Sequence, residues 1–367
     1  MAFDPQREDY QRLGLRFARS LDSRSTIAAT REFATFGRRF AQDRDSLPQS
    51  DADRAFHLVV LASKCIDYEL PFAEEDKAKE LIETGHRILD EAISLDAHCY
   101  DAIRMKAAAT NPSFDAFLEF LNAQSGEVRA YCEEQRANVD TDGTGERARL
   151  MADLAMRPYL RWVATQAEEA LICGRNREAL RLAHHALELD PYDKADVRFT
   201  AAYAFAKLED EQGLDALAQE ARAACRMRPT DDAWVQLARL SLAYKRHDLE
   251  AARGMLDSLV ATYPHAAEAL IRQNELPDGV FARLAVLPYS EDEIILALSE
   301  GTVLLQEGVD LQGRGVLSSW VMQETAHRWP QAMLAVMAQE AQGGRQGLQD
   351  ADGPASAGRP ESRGGRP

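Results

Sequence analysis

The sequence predicts an all-α fold, with helix pairs repeated along the chain as an α-α solenoid. Long stretches rich in Ala, Leu, Glu and Arg, with few β-branched runs, favour helix over strand. Apolar residues recur at steps of three and four, which is the spacing of one helix face. At 367 residues the chain exceeds the usual size of one compact core. We therefore expect either separate domains or an extended repeat array.

The N-terminal part predicts a helical cap. Two helices are indicated by apolar stripes: Tyr10, Leu13, Phe17 and Leu21 in the first, and Phe33, Phe36 and Phe40 in the second. A weak repeat unit then ends at Ala92–Ala97. These features predict helical structure from the start of the chain up to the stronger repeats.

One repeat unit is well marked. Gly174 suits a tight turn between two helices, because glycine adopts the left-handed conformation at no steric cost. Ala179 and Ala186 allow close helix approach, and Pro191 stops the second helix. The segment therefore predicts a helix-turn-helix pair that ends at a proline.

The same ending recurs further along the chain. Pro229 follows Pro191 after 38 residues, and Pro264 follows Pro229 after 35 residues. His247 occupies the turn position of the last unit, 17 residues before Pro264 as Gly174 is before Pro191. The longer first step predicts a loop insertion near 208–213.

This pattern resembles the tetratricopeptide repeat, whose period is about 34 residues. The resemblance implies a right-handed superhelix of helix pairs. More narrowly, four segments resemble an uncharacterised bacterial repeat family distantly similar to suppressor-of-tumorigenicity-7 proteins: residues 157–161, 174–175, 189–193 and 197–199. That resemblance implies a fold and carries no established activity.

After the repeats, Ser290 and Glu293 form a capping-box pattern that opens a further helix. The chain ends in a Gly-, Arg- and Pro-rich stretch that is too poor in apolar residues to fold. The predicted organisation is a helical cap at 1–70, a divergent helical repeat region at 71–154 with a polar loop near 138–146, a repeat core at 155–265, a C-terminal helical region at 266–340 and a disordered tail at 341–367.

Composition limits the partners and the compartment. The formal net charge of −17 argues against nucleic acid, since phosphate binding relies on Lys and Arg. No stretch approaches the roughly 20 apolar residues of a membrane span, and no apolar signal core follows the N-terminus. Five widely spaced cysteines, an odd number, suit free thiols in a reducing compartment. We therefore predict a cytoplasmic protein without membrane contact.

No motif predicts catalysis, a cofactor or a metal. The chain lacks Gly-x-Ser-x-Gly, Cys-x-x-Cys and His-Glu-x-x-His patterns. Residues 138–149 follow the start of a calcium loop, but Arg149 stands where a bidentate Glu is required. We therefore expect a protein that is not an enzyme and has no cofactor.

A solenoid of helix pairs presents a concave groove, which predicts a scaffold that binds a partner protein or peptide. The residues predicted to contact this partner are Arg157, Arg161, Arg198, Phe205, Trp234 and Lys245. Two alternatives remain open at this point. Phe205 and Trp234 also suit ordinary packing between helices, while Arg157 and Arg198 also suit ion pairs that join neighbouring helices.

A second hypothesis is a ligand-responsive transcriptional regulator. Residues 15–27 resemble a helix-turn-helix in which Ser-Arg-Ser-Thr-Ile opens a recognition helix. Asp22 stands where the turn usually has Gly, and the first 50 residues are only slightly basic. A capping helix pair is therefore the favoured interpretation of this segment.

Overall fold

The computed structural model describes residues 4–139, 145–224, 228, 230–276, 286–309, 311 and 313–339. Every regular element within these ranges is helical, which confirms the predicted all-α class. None of the helices described is long and apolar enough to cross a membrane. Residues 140–144 of the calcium-loop pattern, Pro229 and the predicted tail lie outside the described residues.

The helices follow one another with short connections. The N-terminal half contains α1 (Pro5–Ser20), α2 (Thr26–Gln42), α3 (Asp51–Ser63), α4 (Glu75–Leu95), α5 (Tyr100–Thr110) and α6 (Phe114–Ala137). The predicted repeat core contains α7 (Gly145–Ile172), α8 (Asn176–Leu189), α9 (Val197–Lys207), α10 (Glu211–Ala224), α11 (Ala233–Lys245) and α12 (Leu249–Thr262). The C-terminal region contains α13 (Ala266–Ile271), α14 (Glu291–Glu300), α15 (Thr302–Leu305), α16 (Val316–Arg328) and α17 at 330–339.

Helices that are neighbours in sequence pack against each other, as in α6 with α7, α7 with α8, and α11 with α12. One hydrophobic core runs through these layers from Tyr100 to Val321. The predicted boundary between 154 and 155 falls inside α7, which is continuous there. The repeat core and the region before it therefore share a helix and a core.

Three turns between paired helices have the same backbone geometry. Gly174, Glu209 and His247 have φ values of 73°, 57° and 60°, which is the left-handed region. In each turn the next amide donates to the carbonyl five residues earlier, the bond of a Schellman motif: Arg175 to Ala170, Asp210 to Phe205 and Asp248 to Ala243. His247 therefore lies in a turn, as predicted.

The loop insertion predicted near 208–213 is wrong. Only residues 208–210 separate α9 from α10, the same length as the turns at 173–175 and 246–248. Part of the longer step from Pro191 to Pro229 instead lies before α9. This helix begins six residues after Pro191, whereas α11 begins four residues after Pro229. The stretch from the start of α10 to Pro229 is also three residues longer than that from the start of α12 to Pro264, so the loop at 190–196 accounts for only part of the difference.

An aromatic cluster holds the N-terminal hairpin together. Phe36 of α2 lies against Tyr10 and Phe17 of α1, with ring centroids 5.0 and 5.5 Å apart. Phe33 stacks on Phe36 at 5.7 Å. Both predicted apolar stripes are therefore confirmed as the packing surface between α1 and α2.

The C-terminal helices cover α9 and α11. The Tyr203 hydroxyl donates to the carbonyl of Ala297 at 2.6 Å, and the Trp234 indole donates to the Glu300 carboxylate at 2.6 Å. Lys207 donates to the carbonyl of Val303 at 3.2 Å. The polar groups of Tyr203, Lys207 and Trp234 are thus bonded to later parts of the same chain.

Half of the predicted capping box at α14 is confirmed. The Ser290 hydroxyl accepts from the amide of Glu293 at 3.2 Å. The Glu293 carboxylate, however, is buried and accepts from Arg228 at 2.9 Å and from the Tyr263 hydroxyl at 2.7 Å. The reciprocal bond to Ser290 was a wrong prediction, because the buried ion pair takes the carboxylate instead.

We expect Trp234→Ala to lower the free energy of unfolding by about 3–5 kcal/mol, the usual cost of truncating a buried aromatic residue. Trp234 is fully buried and stacks on Phe199 at 3.7 Å. Urea unfolding measures the loss, and Tyr192→Ala, at a side chain that is 67% exposed, is the control. Equal stability of the two variants would contradict the packing of α11 described above.

Candidate binding site

Two of the predicted contact residues belong to the hydrophobic core. Phe205 and Trp234 are 6% and 0% exposed. Phe205 lies edge-on to the ring of His184, and Trp234 is covered by Phe199 and Glu300. Both side chains therefore act in packing between helices, which was the alternative left open by the sequence.

Two of the predicted cations bind acidic groups of the same chain. Lys245 lies 2.9 Å from the Glu307 carboxylate. Arg198 lies 3.2 and 3.3 Å from Asp193 and Asp196, and its guanidinium stacks over the Phe199 ring at 4.3 Å. Arg198 thus fixes the loop at 190–196 to the start of α9.

Arg161 joins three helices. Its guanidinium donates two bonds to Asp101 of α5, at 2.7 and 2.5 Å, and two to Glu8 of α1, at 2.9 and 3.4 Å. Burial alone would raise the pKa of Asp101, yet the Arg161 guanidinium lowers it below its ordinary value. Arg161 therefore holds α1 and α5 against α7 through a buried ionic cluster.

Glu8 lies at the centre of this cluster and is 2% exposed. It accepts from Arg12 at 2.8 and 3.1 Å, from Arg161 and, at 3.2 Å, from Arg157. Burial would raise the pKa of Glu8, but Arg161, Arg12 and Arg157 together lower it from 4.5 to about 2. The carboxylate is thus held ionised inside the protein.

Arg157 differs from the other arginines of the cluster. Its side chain is 18% exposed and makes one bond to Glu8, whereas its Nε is buried and has no hydrogen-bond partner among the described residues. The Arg157 side chain lines a cavity of about 230 Å³ between α1, α7 and the loop at 190–196. We name it the Arg157 cavity; its polar lining is Asp4, Arg7, Glu8, Gln11, Asp153, Arg157, Arg161 and Lys194.

One segment that carries the narrower family resemblance lines this cavity. Residues 157–161 supply Arg157 and Arg161 from α7, and the loop at 190–196 supplies Lys194, which lies outside the resembling segments. The structure thus brings Arg157 and Arg161 together, and it places Arg198, Phe205, Trp234 and Lys245 elsewhere. Sequence reasoning missed Glu8 and Lys194, whose part in the site depends on contacts distant in sequence.

A second cavity, of about 290 Å³, lies between α1, α3, α6 and α7. Its polar groups are paired: Arg16 lies 2.6 Å from Asp53, and Arg12 binds Glu8. The rest of its wall includes Phe56 and other apolar side chains. This cavity therefore lacks the unsatisfied cationic group that distinguishes the Arg157 cavity.

The turn of the predicted helix-turn-helix is attached to the body of the protein. α1 ends at Ser20 and α2 begins at Thr26, close to the predicted positions. Asp22 in this turn accepts two bonds from Arg147 of α7, at 2.8 and 2.9 Å. The hairpin thus packs against the helices that follow, which is the arrangement expected of a cap.

The buried thiols are protonated, and the described residues contain no metal-binding group of side chains. Burial raises the pKa of the Cys99 thiol to about 12 and that of Cys132 to about 11, so both stay protonated at neutral pH. Within the ranges given above, no three His, Cys, Asp or Glu side chains gather in a way that could hold a metal ion.

Acidification should weaken the attachment of α1 through Glu8. Because the pKa of Glu8 is depressed to about 2, its stabilising effect is complete above about pH 5 and is lost as the pH falls toward 2. We expect the stability gap between wild type and Glu8→Gln to narrow by about 2 kcal/mol between pH 7 and pH 3. Urea unfolding at both pH values measures it, and a gap independent of pH would refute the buried, ionised carboxylate.

Removing Arg161 should cost far more stability than removing Arg157. Arg161→Gln leaves Asp101 and Glu8 without their main cation, at a cost of about 3–5 kcal/mol. Arg157→Gln should cost about 1 kcal/mol or less, because Glu8 keeps Arg12 and Arg161. Urea unfolding of both variants checks the difference, and equal losses would mean that Arg157 is as structural as Arg161.

Comparison with known proteins assigns no family to this chain. No protein-family model, no curated protein and no solved structure matches it. The function of the Arg157 cavity must therefore be inferred from the chemistry of its own residues.

Proposed function

We propose that the chain is a non-enzymatic scaffold of the tetratricopeptide type that binds a segment of a partner protein. The turns at Gly174, Glu209 and His247 share one geometry, and the helix pairs around them stack in sequence order. Such stacking is how repeat units that cannot bury their own faces gain stability. These features support a solenoid of helix pairs as the framework.

The proposal rests on a contrast among the residues that were predicted to contact a partner. Trp234 and Lys245 are covered or paired by the C-terminal region of the chain. Arg157 instead is 18% exposed and lines a cavity. A partner would therefore bind at the Arg157 cavity, beside α1, and not over α11.

The surroundings of the cavity suit a protein segment. Leu150 lines it and is 41% exposed, and Tyr192 on the adjoining loop is 67% exposed. An exposed aromatic and an aliphatic side chain beside an arginine form the combination that protein interfaces favour. The same composition gives no support to nucleic-acid binding.

We also propose a cytoplasmic location. Cys65, Cys99, Cys132 and Cys173 are free thiols, which a reducing compartment preserves. A binding role for Arg157 requires no redox chemistry or cofactor. The proposed activity is therefore reversible association with another protein in that compartment.

Capture from a lysate of the native host tests this proposal. We expect a protein that is retained by wild type and by Arg181→Gln to be retained at least tenfold less by Arg157→Gln, which corresponds to about 1.4 kcal/mol. Arg181 is the matched control because its side chain is 68% exposed and its nearest carboxylate, Glu178, is 3.9 Å away. Quantitative mass spectrometry of the retained proteins gives the ratio.

Folding of Arg157→Gln must first be checked by circular dichroism and by its melting temperature. A photo-crosslinking residue at Leu150 should then join the same protein to the cavity, whereas one at Leu334, which is 58% exposed on α17, should not. Equal retention by both Arg variants, or crosslinks from Leu334 alone, would rule out the Arg157 cavity as the binding site.

A further inference from the structure

The N-terminal hairpin, residues 4–47, has an apolar core of its own. The buried members of this core come from α1, α2 and the turn that follows them: Leu13, Phe17, Leu21, Phe36 and Leu47. The apolar side chains packed around it, Ala29 and Phe40, belong to the same segment. In the described part of the chain, this core shares no residue with the apolar clusters of the other helices. Apolar packing therefore joins α1 to α2 more than it joins the hairpin to the rest of the protein.

Charged side chains join the hairpin to the helices that follow. Ion pairs cross this boundary from α1 to the turn after it: Glu8 with Arg161 at 2.9 Å, Arg16 with Asp53 at 2.6 Å, and Asp22 with Arg147 at 2.8 Å. The Arg12 guanidinium also lies 4.2 Å from the centre of the Phe56 ring. Each charge loses hydration when the hairpin docks, which offsets much of the attraction between the partners. The attachment is therefore electrostatic, and its net free energy is small for the number of contacts made.

Open space lies along the same boundary. The first half of α1 lines the Arg157 cavity, and its second half lines the second cavity, of about 290 Å³. The hairpin residues concerned are Asp4, Arg7, Glu8 and Gln11 at the first cavity, and Arg12, Leu15, Arg16 and Arg19 at the second. Side chains beside a cavity lose the dispersion contacts that close packing would supply. The boundary thus lacks close packing along both halves of α1.

The two parts of the chain also differ in the sign of their charge. Residues 1–50 carry nine arginines and seven acidic side chains, whereas the whole chain has a net charge of −17. The negative charge therefore belongs to the rest of the chain and attracts the hairpin. Salt screens such attraction, with a screening length of about 8 Å at physiological ionic strength. Rising ionic strength should therefore weaken the attachment of the hairpin but not the apolar packing of the core.

We propose that the N-terminal hairpin is a gate, which swings away from α3, α5 and α7 as one unit and opens both cavities to solvent. Residues 48–50 lie outside any helix and form the hinge between the hairpin and α3. Opening breaks ion pairs whose charges regain their hydration, while the aromatic core of the hairpin stays intact. Low salt keeps the gate closed, and high salt favours the open form. The gate goes beyond the scaffold function and does not depend on it, since its opening is measured without a partner.

Hydrogen exchange of the 367-residue chain, followed by mass spectrometry of its peptides, measures the opening. We expect the amides of α1 and α2 to exchange through an opening equilibrium roughly tenfold or more larger than that of the amides of α7 to α9. Raising NaCl from about 50 mM to about 500 mM should increase the opening of the hairpin about threefold and leave α7 to α9 unchanged. If both sets of amides open equally at both salt concentrations, the hairpin leaves only when the whole protein unfolds, and the gate is overturned.

An exposed ion pair provides variants that do not threaten folding, which circular dichroism checks. Asp22→Arg places a second cation beside Arg147 and should raise the opening of the hairpin about threefold. Adding Arg147→Asp restores a pair of opposite charges and should return the opening to near the wild-type value. Asp257→Arg is the matched control, because Asp257 is 51% exposed and pairs with Arg328, as Asp22 is 53% exposed and pairs with Arg147. An equal effect of Asp257→Arg on the hairpin would show that general destabilisation controls its exchange, against the proposal.

Labelling of Cys99 shows whether the opening reaches a cavity. Cys99 lines the second cavity and is 8% exposed. N-ethylmaleimide should therefore modify it slowly in the wild type, and in Asp22→Arg faster by the same factor as the hairpin amides exchange. Peptide mass spectrometry separates this thiol from the other cysteines. If the hairpin exchanges faster while the labelling of Cys99 stays unchanged, α1 and α2 only fray in place, and the gate falls.

Discussion

The buried guanidinium of Arg161 is the constraint on which the N-terminal half depends. It bridges Glu8 of α1 and Asp101 of α5 from its place on α7. Desolvating three charged groups is costly, and the cost is recovered only when all their hydrogen bonds are made. Arg161 therefore fixes the position of α1, and with it the wall of the cavity.

In the C-terminal half, later helices cover α9 and α11. In an array of helix pairs, the faces of α9 and α11 would be open to a partner. In this chain Tyr203 donates to a carbonyl of α14 and Lys207 donates to one of α15, while Ile294 and Leu298 are buried beneath them. The surface that repeat architecture normally offers for binding is therefore part of the core.

Local patterns in the sequence were enough to predict the helices and several turns, because helical periodicity and residues such as Gly174 act over a few positions. The ion cluster was not predictable in this way, since Arg161 meets Asp101 and Glu8 across 60 and 153 residues. The sequence did carry one sign of a different buried ion pair. Asp9 lies in step with the apolar stripe of α1, and in the structure it pairs with Arg44 at 2.6 Å. An acid on an apolar face indicates a buried ion pair without naming its partner. No comparable local pattern in the sequence indicated that α14 packs against α11.

The loop at 190–196 is held in one conformation by its own side chains. Its two left-handed residues are Asp193 and Asp196, a conformation that Asp tolerates better than most residues. The Asp193 carboxylate accepts from the amide of Val197 at 2.8 Å, and Arg198 binds both aspartates. Lys194 of the same loop lies 3.1 Å from Asp153, which also ties the loop to α7. A segment ordered in this way loses little entropy when a ligand binds against it, so its contacts contribute most of their energy to affinity.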